Sequence, residues 1–472
     1  MEEKMNKIGL VRAAAVTPVL KVANPGFNSD EIIRCIKEAA GNDAGIILFP
    51  ELCITGYTCG DLFYQDFLYR QSMEGLRKIA ESTKQISSVV VAGFYLRMGN
   101  SLYNCAALIQ EGKIKGIVPK MFLPNYKEFY EARWFEAGIT TADTTKSVRL
   151  FGYDIPFGHV LFEDEENGFK LGIEVCEDLW VPVTPGSCLA LSGAHIILNP
   201  SASNETVAKS EYRKNLVTVE SGKSICGYVY TSSGVHESST DLVFGGHKII
   251  AENGAGLAES PLYERESSIL YGDIDYERII FERSISQNFE GSASIYGRQI
   301  GFVKAPLSPI RVLGSKDTLI RTYRKNPFVP SDPATVDQRC QEIFSIQSAG
   351  LAKRLEHTGS SKAVVGISGG LDSTLALLVC AETFKLLGKD PKDIIAVTMP
   401  GFGTTGKTYN NAQTIMKLLG TDTREIPIRE SVLQHFRDIG HDPAQHDVTY
   451  ENAQARERTQ ILMDIANKEG GL

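Results

Sequence analysis

Short runs of consecutive apolar residues alternate with longer segments of three- and four-residue apolar spacing through the first 290 or so positions. The runs include IGLVRAAAV, AGIILFPEL, SSVVVAGFYL, CAALIQEGKIKGIVP, FKLGIEVCEDL, AHIILNPSA, CGYVYTSS and KIIAENG. Between them, SDEIIRCIKEAAGND and FLYRQSMEGLRKIAESTKQ gather their apolar residues on one helical face. Continuous apolar strands are buried on both faces, so the pattern predicts a layered α/β domain over residues 1–290.

The pattern then breaks. Pro306, Pro309, Pro327, Pro330 and Pro333 fix φ and remove backbone donors, so 291–335 reads as an extended linker. A second α/β unit is expected over 336–472. The helix QRCQEIFSIQSAGLAKRLEHTG leads to the strand KAVVGIS, a glycine turn, the helix DSTLALLVCAETFKLLG and the strand DIIAVTMP, which make one βαβ crossover.

Composition narrows the function. A chain of 472 residues with a net charge of -8 has no electrostatic footprint for nucleic acid, and no block of Lys and Arg suggests a membrane surface. No uninterrupted apolar run approaches the length of a membrane-spanning helix. The start, MEEKMNKIGL, is a poor signal peptide. Nine cysteines scattered from Cys35 to Cys380 read as reduced thiols, which predicts a cytoplasmic location. No CxxC or HxxxH pattern occurs, so no structural metal site is expected.

Three reactive side chains fall at predicted strand ends, where open α/β sheets bind ligands. GIILFP delivers Glu51, GKIKGIVP delivers Lys120 and KLGIEV delivers Cys176. The neighbours of Cys176 are unhelpful to a thiolate: Glu174, Glu177 and Asp178 are all acidic, and Glu174 shares its face of the strand. Taken alone, Cys176 is either a core residue or a nucleophile whose positive partner lies elsewhere. A lysine beside it would supply that charge, and Glu51 could take and return the proton.

FPELCITGY, VPKMFLPNYKEFYEARWFEAG and GIEVCEDLW resemble the three signature segments of the carbon–nitrogen hydrolase, or nitrilase, superfamily. The resemblance implies an αββα sandwich with a Glu51–Lys120–Cys176 triad. It also implies a supporting glutamate, Glu131 in preference to Glu128. Tyr126, Ser203 and Lys209 resemble the glutamine-contacting positions of the branch that takes ammonia from glutamine.

AVVGISGGLDSTLALL sets Gly366, Ile367, Ser368, Gly369, Gly370, Leu371, Asp372 and Ser373 between a strand and a helix. Glycines let a backbone approach a pyrophosphate, and a helix N-terminus offers free N–H groups. No GK[ST] follows, so this is not a Walker A loop. SGGLDS resembles the loop of ATP pyrophosphatases, and MPGFGTTGKTYNNA and HDVTYENAQARERTQILMDIANK resemble segments of NAD synthetases. That resemblance implies a Rossmann-like adenine-nucleotide domain using ATP with Mg2+, with Asn452 contacting deamido-NAD. Thr404, Thr405 and Thr408 fall in its phosphate-side loop with no specific role assigned.

The two parts together resemble glutamine-dependent NAD synthetases, which implies glutamine, ATP and deamido-NAD as substrates, an ammonia tunnel and a homo-oligomer, octameric in relatives. The GTGDLSE-like segment and C-terminal stretch of relatives do not follow NKEGGL, so the nucleotide domain is expected to be incomplete and NAD formation poor. Two other readings stay open: a stand-alone nitrilase-type amidase with a vestigial nucleotide domain, or a non-catalytic nucleotide-binding fragment.

Overall fold

The run after Gly9 becomes the strand Leu10–Thr17, buried at every position and second in a six-stranded sheet. The order across that sheet is Ser268–Asp275, Leu10–Thr17, Ile46–Leu48, Val89–Met98, Ser101–Gln110 and Lys113–Pro119. Arg12 would be costly inside it, but its antiparallel register partner is Asp273, which accepts the guanidinium Nε–H at 2.8 Å. Seven further strands form a second sheet in the order Ala255–Glu259, Lys248–Glu252, Gly227–Ser232, Ile196–Ser201, Phe169–Ile173, Val160–Asp164 and Val303–Pro306. The computed structural model describes residues 7–140, 145–297, 301–323, 325–330, 332–403 and 406–472; Thr404 and Thr405 lie outside them.

The two sheets share one apolar layer. Val11, Ala13, Ile46 and Leu48 of the first meet Phe162, Leu171, Ile173, Leu198 and Val229 of the second. On the outer face of the first sheet, helices Pro25–Gly41 and Asp66–Ser82 pack through Ile32, Ile36, Leu76 and Ile79. Helices Pro185–Leu191 and Lys209–Lys223 cover the second through Leu189 and Val217. This is an αββα sandwich. Each fully buried Leu or Ile contributes about 1.5–3 kcal/mol, and strands covered on both faces read as unbroken apolar runs.

Two stretches differ from the sequence expectation. CAALIQEGKIKGIVP is two antiparallel strands, folded back at Glu111 and Gly112, both with positive φ. The proline-rich segment is not an extended linker over residues 303–313. Val303–Pro306 adds to the second sheet parallel to Val160–Asp164, and Ile310, Val312 and Leu313 are buried. Proline is tolerated there because an edge strand lacks a neighbour on one side. The chain accordingly divides into the units Met1–Tyr323 and Arg324–Leu472.

The second unit has three parallel strands, Ala363–Gly366, Ile394–Thr398 and Asp422–Glu425, in that order. The last, with sequence DTRE, carries no apolar pattern and was not expected. Helices Leu371–Leu386 and Gly406–Leu418 make the crossovers, and Val448–Glu469 packs Ile461, Leu462 and Ile465 near Ile395, Val397 and Met399. On the outer side of Ala363–Gly366, Leu472 exchanges backbone bonds with Lys362 and Val364. Among the described residues no helix is long and apolar enough to cross a membrane.

Candidate active site

Each of the three reactive side chains sits just beyond its strand, on sheets that face one another. Glu51 follows Ile46–Leu48, and its loop passes over Gly93, where a Cβ would collide with the backbone of Leu52. Lys120 follows Lys113–Pro119 directly, and Cys176 opens a 3-10 turn, Cys176–Leu179, just after Phe169–Ile173. Cys176 adopts φ +49, the left-handed region that a residue with a Cβ disfavours.

Glu51, Lys120 and Glu131 are all buried. Lys120 Nζ donates to Glu51 Oε1 and to Glu131 Oε1, each at 2.7 Å. Asn104 donates to the same Glu51 oxygen at 2.6 Å, and Tyr57 donates its hydroxyl to the same Glu131 oxygen at 2.7 Å. The second oxygens, Glu51 Oε2 and Glu131 Oε2, are buried without a hydrogen-bond partner among the described residues. Glu131 is the carboxylate bonded to Lys120; Glu128 instead accepts from Asn204 at 2.7 Å.

The electrostatics follow from burial. Desolvation alone would lower the Lys120 pKa, but the carboxylates of Glu131 and Glu51 overcome it and hold the ammonium charged. Burial raises the Glu131 pKa above the ordinary carboxylate value against the pull of Lys120. The Cys176 thiol is pushed well up, first by burial and then by Glu51, with Lys120 opposing. A thiol so placed is protonated at rest, so attack requires a base to take its proton during the step.

The carboxylates flanking Cys176 are turned elsewhere. The strand ends at Ile173, so alternation no longer governs Glu174, whose side chain accepts from Gly186 N–H at 2.6 Å and bonds the Tyr228 hydroxyl. Asp178 accepts backbone N–H groups, and Glu177 accepts from Tyr126 at 2.9 Å.

Cys176 opens on a cleft of about 440 Å³ that Tyr126, Ser203 and Lys209 also line, together with Trp180 and Phe129. Lys209 Nζ lies 5.4 Å from the Trp180 ring centre and 5.6 Å from that of Phe129, and it donates to Asn204. Burial and the nearby Arg213 lower its pKa. Ser203 is buried, and its Oγ accepts from Arg213 at 3.2 Å. Tyr57, Asn104 and Asn204 were missed in the sequence. Tyr57 closes the quoted FPELCITGY and Asn104 interrupts an apolar strand, a weak signal in each case.

In the second unit, Gly366, Ile367, Ser368 and Gly370 line a cleft of about 650 Å³ at the carboxyl ends of the first two strands. Gly369 has φ +81, and a Cβ there would collide with the carbonyl oxygen of Thr408. Ser368 and Ser373 bond through their hydroxyls at 3.1 Å, and Leu371 and Asp372 begin the helix with exposed side chains. From the last helix Glu451, Gln454, Arg458 and Leu462 face this cleft. Asn452 does not. It lies on the other flank of that helix, in a shallow groove of about 450 Å³ with Arg456, Thr459 and Met463. Among the described residues no group of His, Cys, Asp and Glu forms a metal cage.

A carbon–nitrogen hydrolase family model matches residues 11–282, and an NAD synthase family model matches residues 343–472. Fold and sites together define a carbon–nitrogen hydrolase joined to a synthetase unit. Glutamine-dependent NAD(+) synthetases of Mycobacterium tuberculosis and Mycobacterium bovis are each 36% identical over 98% of this chain and 69% of theirs. That of Thermotoga maritima is 29% identical over 94% of this chain and 70% of its own. The crystal structure of a glutamine-dependent NAD(+) synthetase from Cytophaga hutchinsonii shares the fold, with a TM-score of 0.50 and 24% identity over 98% of this chain and 73% of that one. This chain belongs to the glutamine-dependent NAD(+) synthetase family.

Proposed function

We propose that this chain hydrolyses glutamine at Cys176 and uses the ammonia, with ATP, to convert deamido-NAD to NAD. The observation that carries the first half is Lys120, fully buried and bonded to Glu51 and Glu131, in one site with a cysteine held at positive φ. Glu51 takes the thiol proton as Cys176 Sγ attacks the carboxamide carbon. The Lys120 ammonium and a backbone N–H of the turn stabilise the oxyanion. Glu51 returns the proton to the departing nitrogen, ammonia leaves and a thioester remains. Glu51 then takes a proton from water, whose oxygen attacks the thioester; glutamate departs and the thiol is restored. Tyr126, Ser203 and Lys209 are suited to the amino-acid end of glutamine, as polar groups lining the same cleft.

In the second cleft the 366–373 loop cradles the phosphates of ATP. The nicotinate carboxylate attacks the α-phosphorus, pyrophosphate leaves, and ammonia displaces AMP from the adenylate to give the amide. Glu451 on the cleft wall and Asp372 in the first turn of the adjoining helix would be the carboxylates to hold Mg2+ brought in with ATP. The ion would neutralise phosphate charge. Asn452 serves deamido-NAD only where the dinucleotide reaches the outer flank of the last helix.

Glutamate release from glutamine, compared with Cys176→Ala, tests the first half. Release that disappears in the variant supports it. A folded chain that hydrolyses other amides but not glutamine overturns it in favour of a stand-alone amidase.

A further inference from the structure

Lys120 and Cys176 arrive from different sheets, each just past the end of its strand, and the backbone bond from Lys120 N–H to Asn104 O at 2.8 Å stays within its own sheet. We propose that Asp178 is the positioning residue that fixes the Cys176 turn against the Lys120 turn, so that sulfur and ammonium meet the same substrate atoms. The inference rests on the hydrolase reading above.

One carboxylate spans both turns. Asp178 Oδ2 accepts the N–H of Val175 at 2.9 Å, and Oδ1 accepts that of Phe122 at 2.9 Å. The Met121 N–H is shared between them, at 3.1 Å to Oδ1 and 3.3 Å to Oδ2. The residue before the nucleophile and the two residues after the lysine are thus tied to one side chain. Asp178 is 0% exposed, so water does not compete for these bonds. Its own N–H donates to Val175 O at 3.1 Å and closes the turn in which Cys176 holds φ +49. Burial raises the Asp178 pKa to about 7, with the three N–H groups and Lys120 drawing it down.

Asp178 does not line the cleft that Tyr126, Ser203 and Lys209 share with Cys176. Its removal should therefore slow the chemistry and spare glutamine binding. Asp178→Asn is the sharpest variant: it keeps the shape but offers one acceptor oxygen where three donors converge, and turns an NH2 onto the others. Displacing the nucleophile by about 1 Å costs on the order of 100-fold in rate.

The experiment measures glutamate release at varied glutamine with the full chain, together with alkylation of Cys176 by iodoacetamide. In Asp178→Asn, kcat should fall by on the order of 100-fold with KM within about threefold, and Cys176 should alkylate more slowly. Unchanged kcat, or a loss carried wholly by KM, in a variant with a native circular dichroism spectrum overturns the proposal. Amide exchange on the unaltered chain gives a second decision should the variant not fold. Met121 and Phe122, outside any strand or helix, should exchange as slowly as strand amides, and rapid exchange there overturns the latch. An unaltered chain that neither releases glutamate nor alkylates at Cys176 would overturn the hydrolase reading itself, and the exchange of those two amides would still decide whether Asp178 holds the turns.

Discussion

Lys120 Nζ donates to Glu51 Oε1 at 2.7 Å, while Glu51 Oε2 has no hydrogen-bond partner among the described residues. One oxygen of the buried carboxylate is bonded to the cation and to Asn104, which leaves the other to act on a proton. A base with a free oxygen is what a protonated thiol requires.

Glu51→Gln keeps the shape and removes the base. Glutamate release should fall by about 10²–10⁴-fold in kcat, the usual range for a general base, while glutamine binding by isothermal titration should hold. Substantial kcat in this variant would assign the proton transfer to another group.

Tyr57 reaches the site through a second buried carboxylate. Glu237 accepts the N–H groups of Tyr57 and Thr58 at 2.7 and 3.0 Å and the Thr58 hydroxyl at 2.6 Å, which anchors the turn from which Tyr57 donates to Glu131. Tyr57→Phe should cost about 1 kcal/mol of stability in urea unfolding. It should also lower kcat, because Lys120 is then the one donor left to Glu131 among the described residues. An unchanged kcat would show that Lys120 is held adequately without it.

Glu174 makes a pH prediction with a definite sign. Burial raises its pKa from the ordinary 4.5 to about 8, against the Tyr228 hydroxyl and the Gly186 N–H that pull it down. Between those values the folded chain keeps a proton that the unfolded chain has released. The native state thus binds more protons, and stability falls as pH rises through that window. Glu174→Gln removes this titration. Its melting temperature relative to the unaltered chain should climb between pH 5 and pH 8; a constant difference would mean that Glu174 is ionised in the fold.

Gly369→Ala tests the second cleft. Positive φ and the nearby Thr408 carbonyl leave no room for a methyl group, so the loop must shift. ATP affinity should weaken at least tenfold by titration calorimetry, with glutamate release unaltered. Unchanged affinity would place the nucleotide elsewhere.

Local pattern was enough for the layers. Unbroken apolar runs mark strands covered on both faces, and the spacing of Ile32, Ile36, Leu76 and Ile79 marks the helices that cover them. Short-range pattern also sets Glu51, Lys120 and Cys176 just past their strands, and SGGLDS at a strand–helix turn, because each position depends on a few neighbouring residues. Long-range packing overrode it elsewhere. Five prolines read as linker, yet Val303–Pro306 joins a sheet edge through pairing with residues 143 positions earlier.

The preference for Glu131 over Glu128 came from the resemblance alone, since both lie in one short loop at distances from Lys120 that a chain can close. Only the folded loop turns Glu131 onto the ammonium and Glu128 toward Asn204. The placing of Tyr57 on Glu131, of Asn104 on Glu51 and of Asp178 on the backbone beside Lys120 and Cys176, and the separation of Asn452 from Gln454 onto two flanks of one helix, belong to the tertiary structure as well. Sequence determines which residues can ionise, bend or pair locally. Which of them meet is set by sheet packing and loop closure, where burial decides which charge is held and which proton stays.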